Sequence, residues 1–282
     1  MRWVLVEDDR GRPTIVLVHG AFADTTSWHW VAELLRADGY RVAVPDNPLR
    51  GPGTDAAAVQ RTLDSVSGPV VLVGHSYGGS VITQVHDPKV RALVFVAAFV
   101  PAQGEINQLA LDPIRFPGSR LIPPVLQVKV VDDATGTAGK GVDAYLAPDG
   151  FHEAFAQDVS DATGAEMLTH QRSLAVSANL EPSGAPVWAA TPSWYLVSAQ
   201  DRAIPPAAQR FMARSDERPD AGDRRLARVA GVQARGGRRL RASRGTVIGA
   251  AVFPLFGGGI GCSVRGMQRA QSTTTPDDVP AR

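Results

Sequence analysis

The residues best placed to do chemistry are Gly74-His75-Ser76-Tyr77-Gly78. They follow the apolar run Pro69-Val70-Val71-Leu72-Val73 and precede Gly79-Ser80-Val81-Ile82, an order that reads as strand, sharp turn and helix. Gly-x-Ser-x-Gly in that setting is a nucleophile elbow, where small flanking residues allow a strained turn with the serine hydroxyl raised above the sheet. The helix beginning behind it aims free N–H groups and its positive dipole end at any oxyanion formed there. The chemistry expected of Ser76 is nucleophilic attack on a carbonyl, the work of a serine hydrolase.

The elements that must hold such an elbow are readable on both sides of it. Thr14-Ile15-Val16-Leu17-Val18-His19-Gly20 is a continuous apolar run ended by glycine, suited to a strand covered on both faces as in a parallel sheet. A loop of small and cap-forming residues follows, then a helix over 27–38 with Val31, Leu34 and Leu35 on one face and Gly39 as its stop. Residues 40–44 read as a second strand. Residues 54–66 read as a helix, with Val59, Leu63 and Val66 at i, i+4 and i+7 and Asp55, Arg61 and Asp64 turned elsewhere. Ala92-Leu93-Val94-Phe95-Val96 supplies the next strand. Strand and helix alternate from residue 14 to residue 98, which implies a right-handed, mostly parallel α/β sheet flanked by helices.

The alternation stops at Pro101. Nine prolines between residues 101 and 192, at 101, 113, 117, 123, 124, 148, 182, 186 and 192, together with short helical patterns such as Phe151, Phe155 and Val159, mark an inserted cap. Residues 192–201 restore a strand and 205–213 a helix. The organisation expected is a first core part over 1–100, a cap over 101–191, a second core part over 192–213 and an Arg/Gly-rich tail over 214–282.

Composition agrees with a globular enzyme. In 282 residues, 44% are apolar, enough for a sizeable core, and the net charge of +1 offers nothing to nucleic acid or acidic partners. A single cysteine, Cys262, rules out an intrachain disulfide. The first residues turn acidic at Glu7-Asp8-Asp9 before a signal-peptide core can form, and no apolar stretch approaches the roughly 20 residues a membrane helix needs. The location expected is cytoplasmic, with no membrane partner, no cofactor and no metal.

Three segments, in order, resemble the α/β-hydrolase fold superfamily. Val18-His19-Gly20-Ala21-Phe22 is similar to its oxyanion loop, Gly74-His75-Ser76-Tyr77-Gly78-Gly79 to its elbow, and residues 194–201 to its acid-bearing strand end. More narrowly, residues 12–213 resemble small bacterial esterase-like members related to the plant methylesterase and hydroxynitrile lyase group. The resemblance implies an oxyanion hole made by the backbone N–H groups of Ala21 and Tyr77, one such donor being worth roughly 10²- to 10³-fold in rate. Asp201, just beyond a strand at the carboxyl edge where α/β sites are built, is the candidate acid; the alternative is a loop aspartate capping the next helix. Glu105 is a weaker substitute. Phe22 and Trp28 are candidate pocket-wall residues, with core packing an equal reading for Trp28. An apolar cap containing Phe116, Leu121, Ile122, Val125, Leu126, Phe151 and Phe155 would favour a small, uncharged, hydrophobic carboxylic ester.

A serine also needs a base, and in the resembling pattern a histidine follows one more strand, near residues 225–235. No histidine follows His170 in this sequence. His19 reads as a brace of its loop, His75 as pointing away from its neighbour's hydroxyl, His29 and His86 as helix residues, and His152 and His170 as cap residues. Residues 214–244 hold ten arginines and no lysine. No closing strand is recognisable there, no aromatic interleaves the charges as nucleic-acid binding would want, and a frameshift in GC-rich coding DNA accounts for the composition. Two further readings stand beside the esterase: an impaired hydrolase that keeps only ligand binding, and hydroxynitrile-lyase-like chemistry on the same residues.

Overall fold

The computed structural model describes residues 11–214 and the strand Val229–Val232. Its main sheet is built from β1 (Thr14–Val18), β2 (Val42–Ala43), β3 (Val70–His75), β4 (Val90–Val96), β8 (Ser193–Ser198) and β9 (Val229–Val232), in the order β2-β1-β3-β4-β8-β9 with every pairing parallel. The helices between them are α1 (His29–Ala37), α2 (Pro52–Asp64), α3 (Tyr77–Thr83) and α6 (Pro206–Ala213).

The apolar runs form strands because both of their faces are covered. In β1, Val16 and Val18 join one hydrophobic cluster with Leu72, Phe95, Val59 and Leu63, while Ile15 and Leu17 join a second with Val71, Val73, Val94, Val31 and Leu35. Successive side chains of a strand point to opposite faces, so one continuous run serves two cores. α1 covers the second face, and α2 and α3 cover the first. The chain leaves β1 toward β2 on one side and β3 lies on its other side, so the sheet has its topological switch point between β1 and β3. A crevice opens at that point, beyond the carboxyl ends of the strands.

The first helix is shorter than expected because a 3₁₀ turn, Thr25–Trp28, precedes it, capped by Asp24. Asp55, assigned from sequence to the polar side of its helix, is fully buried. Between β4 and β8 the chain builds a separate three-stranded antiparallel sheet from β5 (Leu126–Asp132), β6 (Lys140–Leu146) and β7 (Leu174–Ala175), with α4 (Pro148–Phe155) and α5 (Asp161–Thr169). Of the helical pattern read at Phe151, Phe155 and Val159, the first two fall on α4, which ends before Val159; the hairpin β5–β6 departs from the sequence reading. Arg50 ties this excursion to the main body by a bidentate bond to Asp143, at 2.8 and 3.0 Å.

The arginine-rich segment is corrected at one place: Val229–Val232 pairs with β8 in register Tyr195↔Val229 to Ser198↔Val232 and adds a sixth strand. The remainder of the tail, including the expectation of a frameshift product, lies outside the described residues. No helix among the described residues is long and apolar enough to cross a membrane.

Candidate active site

The register places the loops after β1 and β3 side by side, since Val18 is level with Gly74 and His75 with Val96 of β4. Ser76 then turns sharply, with φ 52° and ψ −124°, and caps α3. A left-handed φ on a residue with a Cβ stores strain that the surroundings must hold in place. Phe22, at φ 58°, and Ala97, at φ 43°, share this conformation just past the ends of β1 and β4. Three of the five non-glycine residues at positive φ among the described residues thus lie along one edge of the sheet.

Glycine makes the approach possible. A Cβ on Gly74 would lie 2.6 Å from the carbonyl oxygen of Gly78, and one on Gly78 would lie 2.5 Å from that of Val18. A Cβ on Gly20 would come within 2.8 Å of Ser76 Cβ, which shows how closely the first loop is set against the elbow. The Ser76 N–H donates to Val96 O at 3.3 Å, and its carbonyl accepts from the N–H groups of Gly79 and Phe99, each at 3.0 Å. The backbone of Ser76 is thus fixed from β4 and from its own helix, while its side chain keeps intermediate exposure.

The first loop is braced from beneath. His19, fully buried, accepts the Asn47 N–H at Nε2 (3.1 Å), which leaves Nδ1 to donate to Gly20 O at 3.0 Å. Asn47 Nδ2 donates in turn to His19 O. Burial pulls the His19 pKa down, so the ring is neutral at pH 7 and holds one tautomer. The expected bracing role of His19 is what the structure shows; Asn47, its partner, had no sequence signal.

Phe22 is nearly buried and meets Phe155 of α4 edge to face, with centroids 6.3 Å apart; Phe155 in turn tilts onto Phe151 at 5.2 Å. Trp28 is placed in the second core cluster, with its ring edge to face on His75 at 6.3 Å. It packs behind the elbow. The Nδ1 of His75 lies 3.3 Å from the position a Cβ on Gly20 would take.

Asp201 lies three residues beyond β8, at the same edge. Its Oδ1 accepts from Ala203 N (2.7 Å) and Ile204 N (3.0 Å), and its Oδ2 from Gln209 Nε2 (2.8 Å). Gln209 is fully buried and also donates to Ile204 O and accepts from Ser198 N, clamping the loop. The carboxyl is hemmed in by protein while the residue as a whole keeps intermediate exposure. Burial pushes its pKa up to about 6 against the pull of the two backbone N–H groups and Gln209. Among the described residues no imidazole reaches it. Glu105 is occupied locally, accepting from Ala102 N at 2.8 Å.

The other histidines are engaged elsewhere. His86 bonds Ala185 O and His152 bonds Val159 O, each at 3.1 Å, while His29 leans on Trp30. His170 bonds Asp24 Oδ2 at 3.1 Å and so joins α5 to the loop after β1. A cavity of about 620 Å³ lined by Arg50, Lys129, Asp143 and Arg172 lies apart from Ser76, as does a smaller one lined by Phe99, Ile106, Leu109 and Phe211.

An all-parallel main sheet flanked by helices, with a strained turn at the carboxyl end of β3, is the architecture of the α/β-hydrolase fold, and the comparison with known proteins agrees. The Alpha/beta hydrolase family model matches residues 15–236, and the chain belongs to that family. The match runs past residue 213 and takes in Val229–Val232, further than the sequence resemblance carried.

Among its relatives, Methylesterase 1 of Arabidopsis thaliana is 26% identical over 231 residues, 73% of this chain and 85% of that one. A carbendazim hydrolyzing esterase of Nocardioides is 39% identical over 117 residues, 36% of this chain, and the match spans about half (48%) of that esterase's length. A pyrethroid hydrolase from Sphingobium faniae shares the fold, with a TM-score of 0.66, 22% identity and coverage of 86% of this chain and 97% of that one.

Proposed function

We propose that the protein hydrolyses a small hydrophobic carboxylic ester through an acyl-enzyme on Ser76. The observation that carries the reading is the strained elbow set against the loop after β1, with a Cβ on Gly20 reaching within 2.8 Å of Ser76 Cβ. In this reading the Ser76 hydroxyl attacks the ester carbonyl. The backbone N–H groups of Ala21 and Tyr77 receive the oxyanion, and collapse of the tetrahedral intermediate expels the alcohol. Water then releases the acid. Phe22, Phe151 and Phe155 give the mouth an apolar wall, and Trp28 supports the elbow from the core side. The esterase relatives, among them methylesterases and a pyrethroid hydrolase from Sphingobium wenxiniae, support an ester substrate.

Asp201 is the acid of this site, and its carboxyl has one lone-pair direction on Oδ2 beyond the bond from Gln209. Among the described residues no histidine reaches Asp201, and in this reading the serine acts without a paired imidazole. Loss of triad chemistry leaves roughly 10³- to 10⁴-fold acceleration over water from the oxyanion hole and binding. This same observation favours a second reading, a hydrolase fold that retains the pocket and binds its ester without turning it over.

Turnover of p-nitrophenyl acetate by the wild type and by Ser76→Ala separates the two. The first reading expects wild-type turnover at least tenfold above Ser76→Ala, on the scale of a lost nucleophile. Equal rates in the two proteins would remove it.

A further inference from the structure

Tyr77 has two jobs that its Cα couples. Its N–H is the donor that the proposed reading assigns to the oxyanion, and its ring runs into the core, where it is completely buried. The hydroxyl at the far end donates to Asp55 Oδ2 at 2.8 Å. Asp55 sits in the first turn of α2, is itself fully buried, and accepts the Arg50 N–H at Oδ1 (3.1 Å). Burial raises its pKa, and the Tyr77 hydroxyl and the backbone N–H groups of residues 49–51 pull it back.

A buried carboxylate is costly even when its oxygens find donors, and a phenylalanine–leucine pair would fill the same space without that cost. What the phenol–carboxylate pair adds is direction. A hydrogen bond to a carboxylate is short and oriented, and it fixes the depth and rotation of the ring. The ring and the N–H hang on one Cα, so a ring free to tilt turns the N–H. An oxyanion donor works only within about 2.7–3.1 Å of the developing charge, and small misplacements are expensive in rate.

We propose that Asp55 is a positioning residue for the serine chemistry: through the Tyr77 hydroxyl it holds the Tyr77 backbone N–H at the oxyanion. The proposal rests on the reading of Ser76 as nucleophile. It does not place Asp55 in contact with substrate.

The test uses the full-length protein, p-nitrophenyl acetate and a thermal midpoint. Tyr77→Phe removes the bond and leaves Asp55 without its phenolic donor; the double variant Tyr77→Phe/Asp55→Leu removes the stranded carboxylate as well. The expected result is a kcat about tenfold lower in both, with KM within about twofold of wild type, while the double variant regains the midpoint lost by the single one. Should the double variant fail to fold, Asp55→Asn, which keeps an acceptor for Tyr77 but meets the Arg50 N–H with a donor, is expected to fall between wild type and Tyr77→Phe in kcat.

Wild-type kcat in Tyr77→Phe, or a kcat that recovers together with stability in the double variant, would overturn the positioning role. Wild-type turnover no faster than Ser76→Ala would remove the underlying reading and this proposal with it. That failure is visible before any variant at residue 77 is made.

Discussion

Replacing Gly78 by alanine probes how tightly the elbow is pressed into the fold. Gly78 lies in the first turn of α3, in a backbone conformation open to any L-residue. On helix propensity alone alanine would gain about 1 kcal/mol. Its Cβ, however, would stand 2.5 Å from Val18 O and 2.7 Å from His19 O, against the 3.4 Å at which ordinary contact begins. Both obstacles are backbone of β1 and its loop, so relief requires α3 and the loop to separate by close to 1 Å. Overpacking of that kind costs about 1–3 kcal/mol, and two fixed carbonyls put this case near 3. The net loss is about 2 kcal/mol, a fall in midpoint of about 4–8 °C for a domain of this size. The assay is thermal unfolding followed by circular dichroism, with Gly11→Ala, where a Cβ meets nothing within 4 Å, as the control. A midpoint for Gly78→Ala within 1 °C of wild type would refute the reasoning, because the loop and elbow would then not be in fixed contact.

Three further consequences concern charge. Asp201 has its pKa raised from the ordinary 3.8 to about 6, so the folded state binds its proton more tightly than the unfolded state. That stability is fully present below pH 3.8 and is lost as pH rises through 6, by up to ~3 kcal/mol before screening at its exposed part. The buried neutral His19 acts in the opposite sense, its contribution falling away as pH drops below its ordinary 6.5. The difference between wild type and Asp201→Asn in urea unfolding from pH 4 to pH 7 isolates the carboxyl. A difference that does not change with pH would contradict the burial assigned to it. Arg50→Ala leaves the nearly buried Asp143 with only its Ser173 partner and is expected to destabilise by ~1–3 kcal/mol, tempered by the partial exposure of Arg50; unchanged urea unfolding would show that the bidentate bond contributes nothing net.

Much of the main body was legible because each step has a local cause. β1 and β3 announce themselves as unbroken apolar runs, since both faces of a parallel strand are covered. The elbow is legible because only glycine tolerates carbonyls at 2.5–2.6 Å from a Cβ position. Asp55 was misread because a carboxylate on an amphipathic helix looks solvent-facing. Its burial depends on a hydroxyl 22 residues away, which no periodicity reports. Gln209 and Asn47 escaped for the same reason.

The hairpin β5–β6 did carry a signal, the alternation Leu126, Val128, Val130 against Gln127 and Lys129, obscured by the prolines before it. β9 carried almost none, since four residues among arginines are too few to show a period. The family match through residue 236 is what connects that strand to the rest.

The central claim is that Ser76 is the group that reacts. Incubation with a fluorophosphonate, followed by proteolysis and mass analysis, tests it directly. The account predicts one adduct, on the peptide containing Ser76, abolished in Ser76→Ala. An unmodified Ser76 peptide after prolonged incubation of folded protein, or labelling that survives in Ser76→Ala, would contradict it.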